Sequence, residues 1–215
     1  MKSKFEKRFT EHSGIVQLME DLGEANAGRR ELLMLGGGNP AHIPEVQQFF
    51  QERLQRLALD PVECARVIGD YDPPQGNTRF IEALAALFRE TYGWDIGPGN
   101  IALSTGSQSA FFMLFNMFSG EYEDGSRRRI LLPMTPEYIG YADVGLSDRC
   151  FTAKKPIIET LGDHMFKYHV DFEGLTLGAD VGAVCVSRPT NPTGNVLSDG
   201  EMEKLIRLTR DRGVP

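Results

Sequence analysis

The stretch Val184-Cys-Val-Ser-Arg-Pro-Thr-Asn-Pro-Thr-Gly-Asn195 constrains the fold more than any other part of this 215-residue chain. It begins as a β-branched apolar run, the pattern of a buried strand. It breaks at Pro189, turns through Asn191-Pro-Thr-Gly194 and restarts at Ser198 as a helix. Ser198-Asp-Gly-Glu201 reads as a capping box, and Leu197 and Met202 are placed for a hydrophobic staple. Met202, Leu205, Ile206 and Thr209 then mark a buried stripe that closes at Gly213. Strands and helices alternate in this way from about residue 100 onward, which predicts a largely parallel sheet with crossover helices. In open α/β sheets ligands lie outside the carboxyl ends of the strands, where Asn191 would project. Turn chemistry alone also accounts for an Asn at that position.

The upstream segments repeat the pattern. Asn100-Ile-Ala-Leu-Ser104 reads as a brief strand, followed by Thr105-Gly-Ser-Gln108 and the apolar run Ser109–Phe118. That run is apolar nearly all round, which predicts a buried helix. Thr105 and Gln108 fit a capping box. The first turn of such a helix presents unpaired N–H groups backed by the positive end of its dipole. With Ser107 and Gln108 as further donors it is an anion site, or else an ordinary capped helix. Arg129–Pro133 is the next strand, with Tyr138 and Tyr141 just past its end. Either tyrosine could lie over a planar ligand or be a buried aromatic with a satisfied hydroxyl. Cys150–Ala153 reads as a strand, and Lys154–Gly178 as a hairpin or an excursion at the sheet edge.

Before residue 100 the signals are mostly helical. Residues 1–30 are polar, with a partial stripe at Phe5, Phe9, Ile15, Leu18, Met19 and Leu22, and read as an arm that packs on something else. Gly36-Gly-Gly-Asn-Pro40 reads as a flexible loop or a place of close backbone approach. A helix is predicted from Pro44 to about Leu59, and another from Thr78 with Ile81, Leu84, Ala85, Phe88 and Tyr92 on one face. Asp70–Gly76 between them has loop chemistry and leaves Tyr71 free to reach out.

Charge excludes some functions. With 23 basic and 30 acidic residues the net charge is -7, which argues against nonspecific binding to nucleic acid or to an anionic membrane. The one basic run, Arg127–Arg129, abuts Glu121, Glu123 and Asp124 and reads as a solvated loop. Cys64, Cys150 and Cys185 form no Cys-x-x-Cys pair, and His164 and His169 lack the helical spacing of a metal pair, so no metal site is expected. The charged first eleven residues and the lack of a long apolar run point to a soluble cytoplasmic protein.

Five motifs in order, Gly36-Gly-Gly-Asn-Pro40, Tyr71-Asp-Pro-Pro-Gln-Gly76, Thr105-Gly-Ser-Gln-Ser-Ala110, Pro136-Glu-Tyr138 and Asn191-Pro-Thr-Gly194, resemble those of the fold type I, pyridoxal-phosphate-dependent aminotransferases. The resemblance implies a three-layer α/β/α domain with a mostly parallel sheet, incomplete at its C-terminus. It implies an N-terminal arm and small-domain segment over 1–44, and the N-terminal part of the cofactor-binding large domain over 45–215. It implies a homodimer acting on a small amino acid and a 2-oxo acid. By resemblance, Ser107, Gln108 and the Gly106 backbone would hold the cofactor phosphate, and Tyr138 would stack on the ring. Asn191 would bond the phenolic oxygen near the substrate carboxylate, Gly38 would approach the substrate, and Tyr71 would reach the neighbouring subunit's phosphate. The family's Schiff-base lysine is expected beyond Pro215, so no catalytic residue is expected in this chain. Two other expectations remain: a lyase or decarboxylase of the same fold, and a truncated, non-catalytic fragment.

Overall fold

A computed structural model describes residues 2, 3, 6, 7, 10, 14–26 and 40–215. Phe5, Phe9 and Gly38 lie outside the described residues. The chain divides into two compact units, residues 37–105 and residues 1–36 with 106–215. Among the described residues no helix is long and apolar enough to cross a membrane. Helix α1, Gly14–Asn26, belongs to the second unit.

The 37–105 unit is helical. Helix α2, Pro44–Leu59, starts on its proline as the sequence predicts. The Asp60 carboxylate accepts the Val62 and Glu63 N–H groups at 3.1 and 3.0 Å and so caps α3, Pro61–Gly69. Helix α4, Thr78–Tyr92, is capped by Asn77 and closed by Gly93 at φ 67°. Ile81 and Ala85 of its stripe are buried. Asn100–Ser104 is not a strand: Pro98–Asn100 is a 3-10 turn and residues 101–104 are irregular. Their backbone is used by the preceding loop instead. The Leu103 N–H donates to Gln75 O at 2.8 Å, and the Gln75 amide donates to Pro98 O and Ile101 O at 2.7 and 2.5 Å.

The other unit is built on β2, Arg127–Leu132. It pairs in parallel with β3, Phe151–Ala153, along one edge and with β6, Val181–Val184, along the other. Short β1, Gly120–Glu121, pairs antiparallel with the start of β2. Ile130 and Leu132 face a core with Phe115, Tyr141 and Cys150, whereas Leu131 faces one with Val181, Leu197 and Leu205. Phe115 belongs to α5, Ser107–Phe118, and Leu205 to α6, Asp199–Arg212. A helix on each face gives the expected three layers, and explains why β2 ends in a continuous apolar run.

Three expectations are corrected. Arg127–Arg129 is the first half of β2, not a solvated loop. The strand tolerates these charges because each has a counterpart: Arg127 lies 3.8 Å from Glu121, Arg128 stacks 4.3 Å over the Tyr122 ring, and Arg129 pairs with Asp180. The cap of α5 is Gly106 at φ 112°, with no side-chain cap bond, so Thr105 is not the capping residue. Helix α5 buries only Phe115 fully, and Met113, Leu114 and Met117 remain about half exposed. Its apolar surface is wider than the one face the sheet covers.

The 154–178 segment contains the hairpin that the sequence suggests, β4, Ile157–Leu161, antiparallel to β5, Met165–His169. Helix α6 has the predicted capping box: Ser198 Oγ accepts the Glu201 N–H at 3.3 Å, and Glu201 Oε2 accepts the Ser198 N–H at 2.8 Å. Leu197 is 1% exposed, and Met202 packs against the same core. Ile206 is not in the buried stripe; Glu201 is buried instead. Its carboxylate also accepts the Val170 N–H at 3.1 Å and meets His169 Nδ1 at 3.2 Å. Burial pushes this carboxyl up, but the Ser198, Val170 and His169 bonds together hold it below the usual range.

Glu201→Ala strands the buried Val170 N–H and removes one half of the α6 capping box, so it should cost about 2–3 kcal/mol, against about 1 kcal/mol for Ser198→Ala. Urea denaturation of the protein carrying this chain measures both. His169 Nε2 lies 2.8 Å from Glu159 Oε2, and the Glu159 bond, reinforced by Glu201, raises the imidazole pKa above its ordinary value. Its stabilising contribution is therefore complete below pH ~6.5 and is lost as pH rises through the raised folded-state value. His169→Gln should remove that fall in melting temperature as pH rises from about 6 through the raised folded-state value.

Candidate functional site

The loops after β2 and β6 and the first turn of α5 belong to one unit. Beyond Leu132 the chain is held to the end of β3: the Lys154 N–H donates to Leu132 O at 3.0 Å, and Thr135 Oγ1 donates to Lys154 O at 2.9 Å. This anchors the segment leading to Tyr138. Glu137 then joins two loops. One carboxylate oxygen accepts the Ser187 N–H at 2.9 Å, and the other accepts the Tyr138 N–H at 3.2 Å. The bond to Ser187 sets the β6 exit, which leads to Asn191, beside the segment bearing Tyr138.

The two tyrosines have separate environments. Tyr141 is 6% exposed, packs on Phe111 and Phe115 with ring centroids 4.8 and 5.2 Å away, and bonds Ser187 Oγ through its hydroxyl at 3.1 Å. It is the buried aromatic with a satisfied hydroxyl. Tyr138 lies edge-on to it at 5.4 Å and is half-buried. Gly140 shows what Tyr138 adjoins. A Cβ there would lie 2.5 Å from Tyr138 Cε1 and would overlap the Gln108 amide nitrogen. The missing side chain at Gly140 therefore lets Gln108 and Tyr138 meet.

Gln108 follows Ser107 in the exposed first turn of α5. At that end the Ala110 N–H donates to Gly106 O at 3.2 Å, and the Ser107 and Gln108 N–H groups precede this bond. The space where a Gly106 Cβ would point is open, and at φ 112° a side chain there would be strained. An anion approaching this end meets backbone N–H groups, a hydroxyl, an amide and the helix dipole.

Asn191 is exposed on a loop whose base is closed by Thr190 N–H to Asn195 O at 3.0 Å and Gly194 N–H to Thr190 O at 2.7 Å. Arg188 pairs with Asp199 at 2.5 Å, tying this loop to the first turn of α6. Two groups beneath the site, Cys185 and Tyr141, stay protonated at neutral pH. Burial, with the Glu137 charge nearby, pushes the Cys185 thiol up to about 11, against a hydrogen bond from Tyr141. Burial likewise raises Tyr141 over the opposing bond to Ser187. Among the described residues no group of acidic, His and Cys side chains could hold a metal ion.

Gln108 and Tyr138 are thus brought together, Gly106 and Ser107 share the helix end with Gln108, and Asn191 is linked to Tyr138 through Ser187 and Glu137. Tyr71 is fully exposed in the 37–105 unit. Glu137, Ser187 and Asn195 were not marked by the sequence, because each acts through bonds to residues distant in the chain, which leave no periodic signal.

An α/β/α domain with an anion-ready helix start beside a half-buried tyrosine, at the carboxyl ends of parallel strands, defines a ligand-binding domain of the open-sheet class. The family model for aminotransferase class I and II matches residues 36–215, and the chain belongs to that family. Its members depend on pyridoxal phosphate. The chain is 52% identical over 215 residues to valine–pyruvate aminotransferase of Escherichia coli, covering 99% of this chain and 51% of that protein. It is 29% identical over 183 residues to an aspartate aminotransferase of Thermotoga maritima, covering 85% of this chain and 44% of that protein. The crystal structure of valine–pyruvate aminotransferase from Salmonella typhimurium superposes with a TM-score of 0.77 at 51% identity, over 94% of this chain and 48% of that one. A putative amino-acid aminotransferase from Psychrobacter arcticum gives 0.89 at 44% identity, over 100% of this chain and 53% of that one. The chain spans about half the length of the curated relatives it matches. The fold is that of part of a fold type I aminotransferase.

The donor set fits a phosphorylated, planar cofactor: neutral donors at a helix start for the anion and an aromatic ring beside them. Gly140→Ala must move the Tyr138 ring, and should weaken pyridoxal phosphate binding by about tenfold or more while Gly200→Ala, which meets open space, leaves it unchanged. Fluorescence titration of the cofactor-free protein measures this. The raised Cys185 thiol should alkylate at least ~tenfold more slowly at pH 8 than an ordinary cysteine, read by mass spectrometry of iodoacetamide-treated protein.

Proposed function

We propose that this chain supplies the cofactor-orienting part of an aminotransferase that moves an amino group between L-valine and pyruvate, giving 2-oxoisovalerate and L-alanine. The observation that carries this reading is the 52% identity to valine–pyruvate aminotransferase, which extends over 99% of the chain and so through every motif described. Specificity for a small apolar side chain would come from pocket shape, where one methylene is worth about 1–3 kcal/mol.

The geometry of Ser107, Gln108, Tyr138 and Asn191 is compatible with the roles assigned to them, and the roles of Gly38 and Tyr71 follow from the family resemblance alone. Ser107 and Gln108, with the backbone at Gly106, hold the cofactor phosphate at the start of α5. Tyr138 lies over the pyridine ring and keeps it in plane. Asn191 donates its amide to the phenolic oxygen, which favours the ionised oxygen, and it lies near the substrate carboxylate. Gly38 approaches the substrate, and Tyr71 reaches the phosphate of a neighbouring subunit in a cytoplasmic homodimer. Residues 45–215 belong to the cofactor-binding domain and 1–44 to the arm and small domain. When bound, pyridoxal phosphate supplies the electron sink for the reacting substrate carbon.

The covalent anchor is assigned to the part of the curated relatives that this chain does not match. Lys167 and Lys204 are engaged elsewhere. Lys167 Nζ donates to Val196 O at 2.6 Å, and Lys204 lies 5.2 Å over the Phe172 ring.

The protein carrying this chain should convert L-valine and pyruvate to L-alanine by a ping-pong route. Activity confined to aspartate or aromatic donors would overturn the substrate assignment. Release of ammonia or carbon dioxide without a 2-oxo acid acceptor would make it a lyase or decarboxylase. Ser107→Ala and Gln108→Ala should each weaken cofactor binding by about tenfold, the worth of one charge-assisted hydrogen bond.

A further inference from the structure

Asn195 immediately follows the Asn191-Pro-Thr-Gly194 turn, and its side chain does something no other side chain of the loop does. Its Oδ1 accepts the Tyr168 N–H at 3.1 Å, and its Nδ2 donates to Tyr168 O at 3.2 Å. One amide thus satisfies both backbone groups of a single β5 residue, as a neighbouring strand would. The same Nδ2 lies 3.8 Å from Met134 Sδ, four residues before Tyr138. The Asn195 carbonyl accepts the Thr190 N–H at 3.0 Å, so the residue that grips β5 also closes the loop carrying Asn191. Lys167 reinforces the contact by donating to Val196 O at 2.6 Å.

The rail to which Asn195 attaches is itself fixed. Immediately after Tyr168, the His169 ring and the Val170 N–H are both engaged by Glu201 in the cap of α6. At the other end of the loop, Thr190 is 2% exposed and donates through Oγ1 to Ser187 O at 2.9 Å, and Ser187 is bonded to Glu137. Asn191, which is exposed, therefore extends from a continuous series of bonds: α6 cap, β5, Asn195, Thr190, Ser187, Glu137, Tyr138.

We propose that Asn195 is a positioning residue that sets Asn191 toward the cofactor by clamping the base of its loop to the backbone of Tyr168, and that the β4–β5 hairpin serves this site as its rigid support. The proposal rests on the assignment of Asn191 made under Proposed function. Removing the amide frees the loop base while leaving Ser107, Gln108, Tyr138 and Asn191 chemically intact. Asn195→Asp keeps the volume but sets a carboxylate against Tyr168 O in place of a donor. It should act in the same direction, and it provides a test if Asn195→Ala does not fold.

Two measurements on the protein carrying this chain decide the matter. In the cofactor-free form, amide hydrogen exchange across residues 190–195 should accelerate by about tenfold or more in Asn195→Ala or Asn195→Asp, with little change in α4, which lies in the other unit. Unchanged exchange overturns the clamp. In the loaded form, the pH midpoint of the bound cofactor's absorbance should rise in Asn191→Ala and in the Asn195 variant, and the double variant should match Asn191→Ala alone. An additive double variant, or an Asn195 variant whose midpoint stays at the parent value, overturns action through Asn191. If Asn191→Ala leaves the midpoint unmoved while the Asn195 variant still loosens the loop, the cofactor assignment of Asn191 has failed, and the proposal falls with it.

Discussion

Burial of both faces of β2 is the constraint on which the 106–215 unit depends. Ile130, Leu131 and Leu132 are adjacent in sequence, so their side chains alternate between two cores. Each core needs a covering layer, and α5 and α6 supply them. With both edges of β2 hydrogen-bonded in parallel to β3 and β6, the loops leaving the three strands emerge at a common end. The helix start, the tyrosine segment and the Asn191 loop are thereby delivered near one another before any polar contact forms. The hydrophobic arrangement brings the groups to the same rim; it does not orient them.

Orientation comes from three polar side chains that substitute for backbone partners. Glu137 receives N–H groups from Ser187 and Tyr138, Glu201 from Ser198 and Val170, and Asn195 exchanges both bonds with Tyr168. The logic is the same in each case. A loop leaving a strand has backbone N–H and C=O groups that no ladder satisfies, and leaving them unpaired away from water is costly. A side chain with a matching donor or acceptor meets that need and also fixes where the loop lies. A site assembled from loops can then be held by the sheet without any loop becoming a strand.

The sequence revealed the elements whose signals are local. Pro44 at the first turn of α2, the Ser198–Glu201 box with Leu197 and the glycine closing α6 appear where their chemistry requires. The misreadings arose where a tertiary partner outweighed the local pattern. Asn100–Ser104 looks like a strand, but Gln75 takes its backbone groups. Arg127–Arg129 looks like a solvated run, but Glu121, Asp180 and the Tyr122 face admit it into β2. Thr105 looks like a cap, but Gly106 at φ 112° provides the geometry one residue later. The motifs made Ser107, Gln108, Tyr138 and Asn191 visible through resemblance. The residues that orient them were not visible, because a carboxylate or amide bonding distant backbone has no spacing rule in the sequence.

The electrostatics of the rim follow from what lies beneath it. Cys185 and Tyr141 stay protonated through the neutral range because burial opposes their ionisation. The nearby carboxylate of Glu137 already accepts two N–H groups, which disperse part of its charge. What faces outward at the start of α5 is then a set of N–H groups and neutral donors at the positive end of a twelve-residue helix. Such a surface attracts an anion through fixed dipoles rather than a flexible cation, and dipoles fixed by backbone need little reorganisation when the anion arrives. Because the field comes from the helix, an anion held there would take its position from where α5 begins, and therefore from Gly106. A planar ring entering this rim would meet Tyr138, which Gly140 allows against Gln108, and a loop that Asn195 holds to β5.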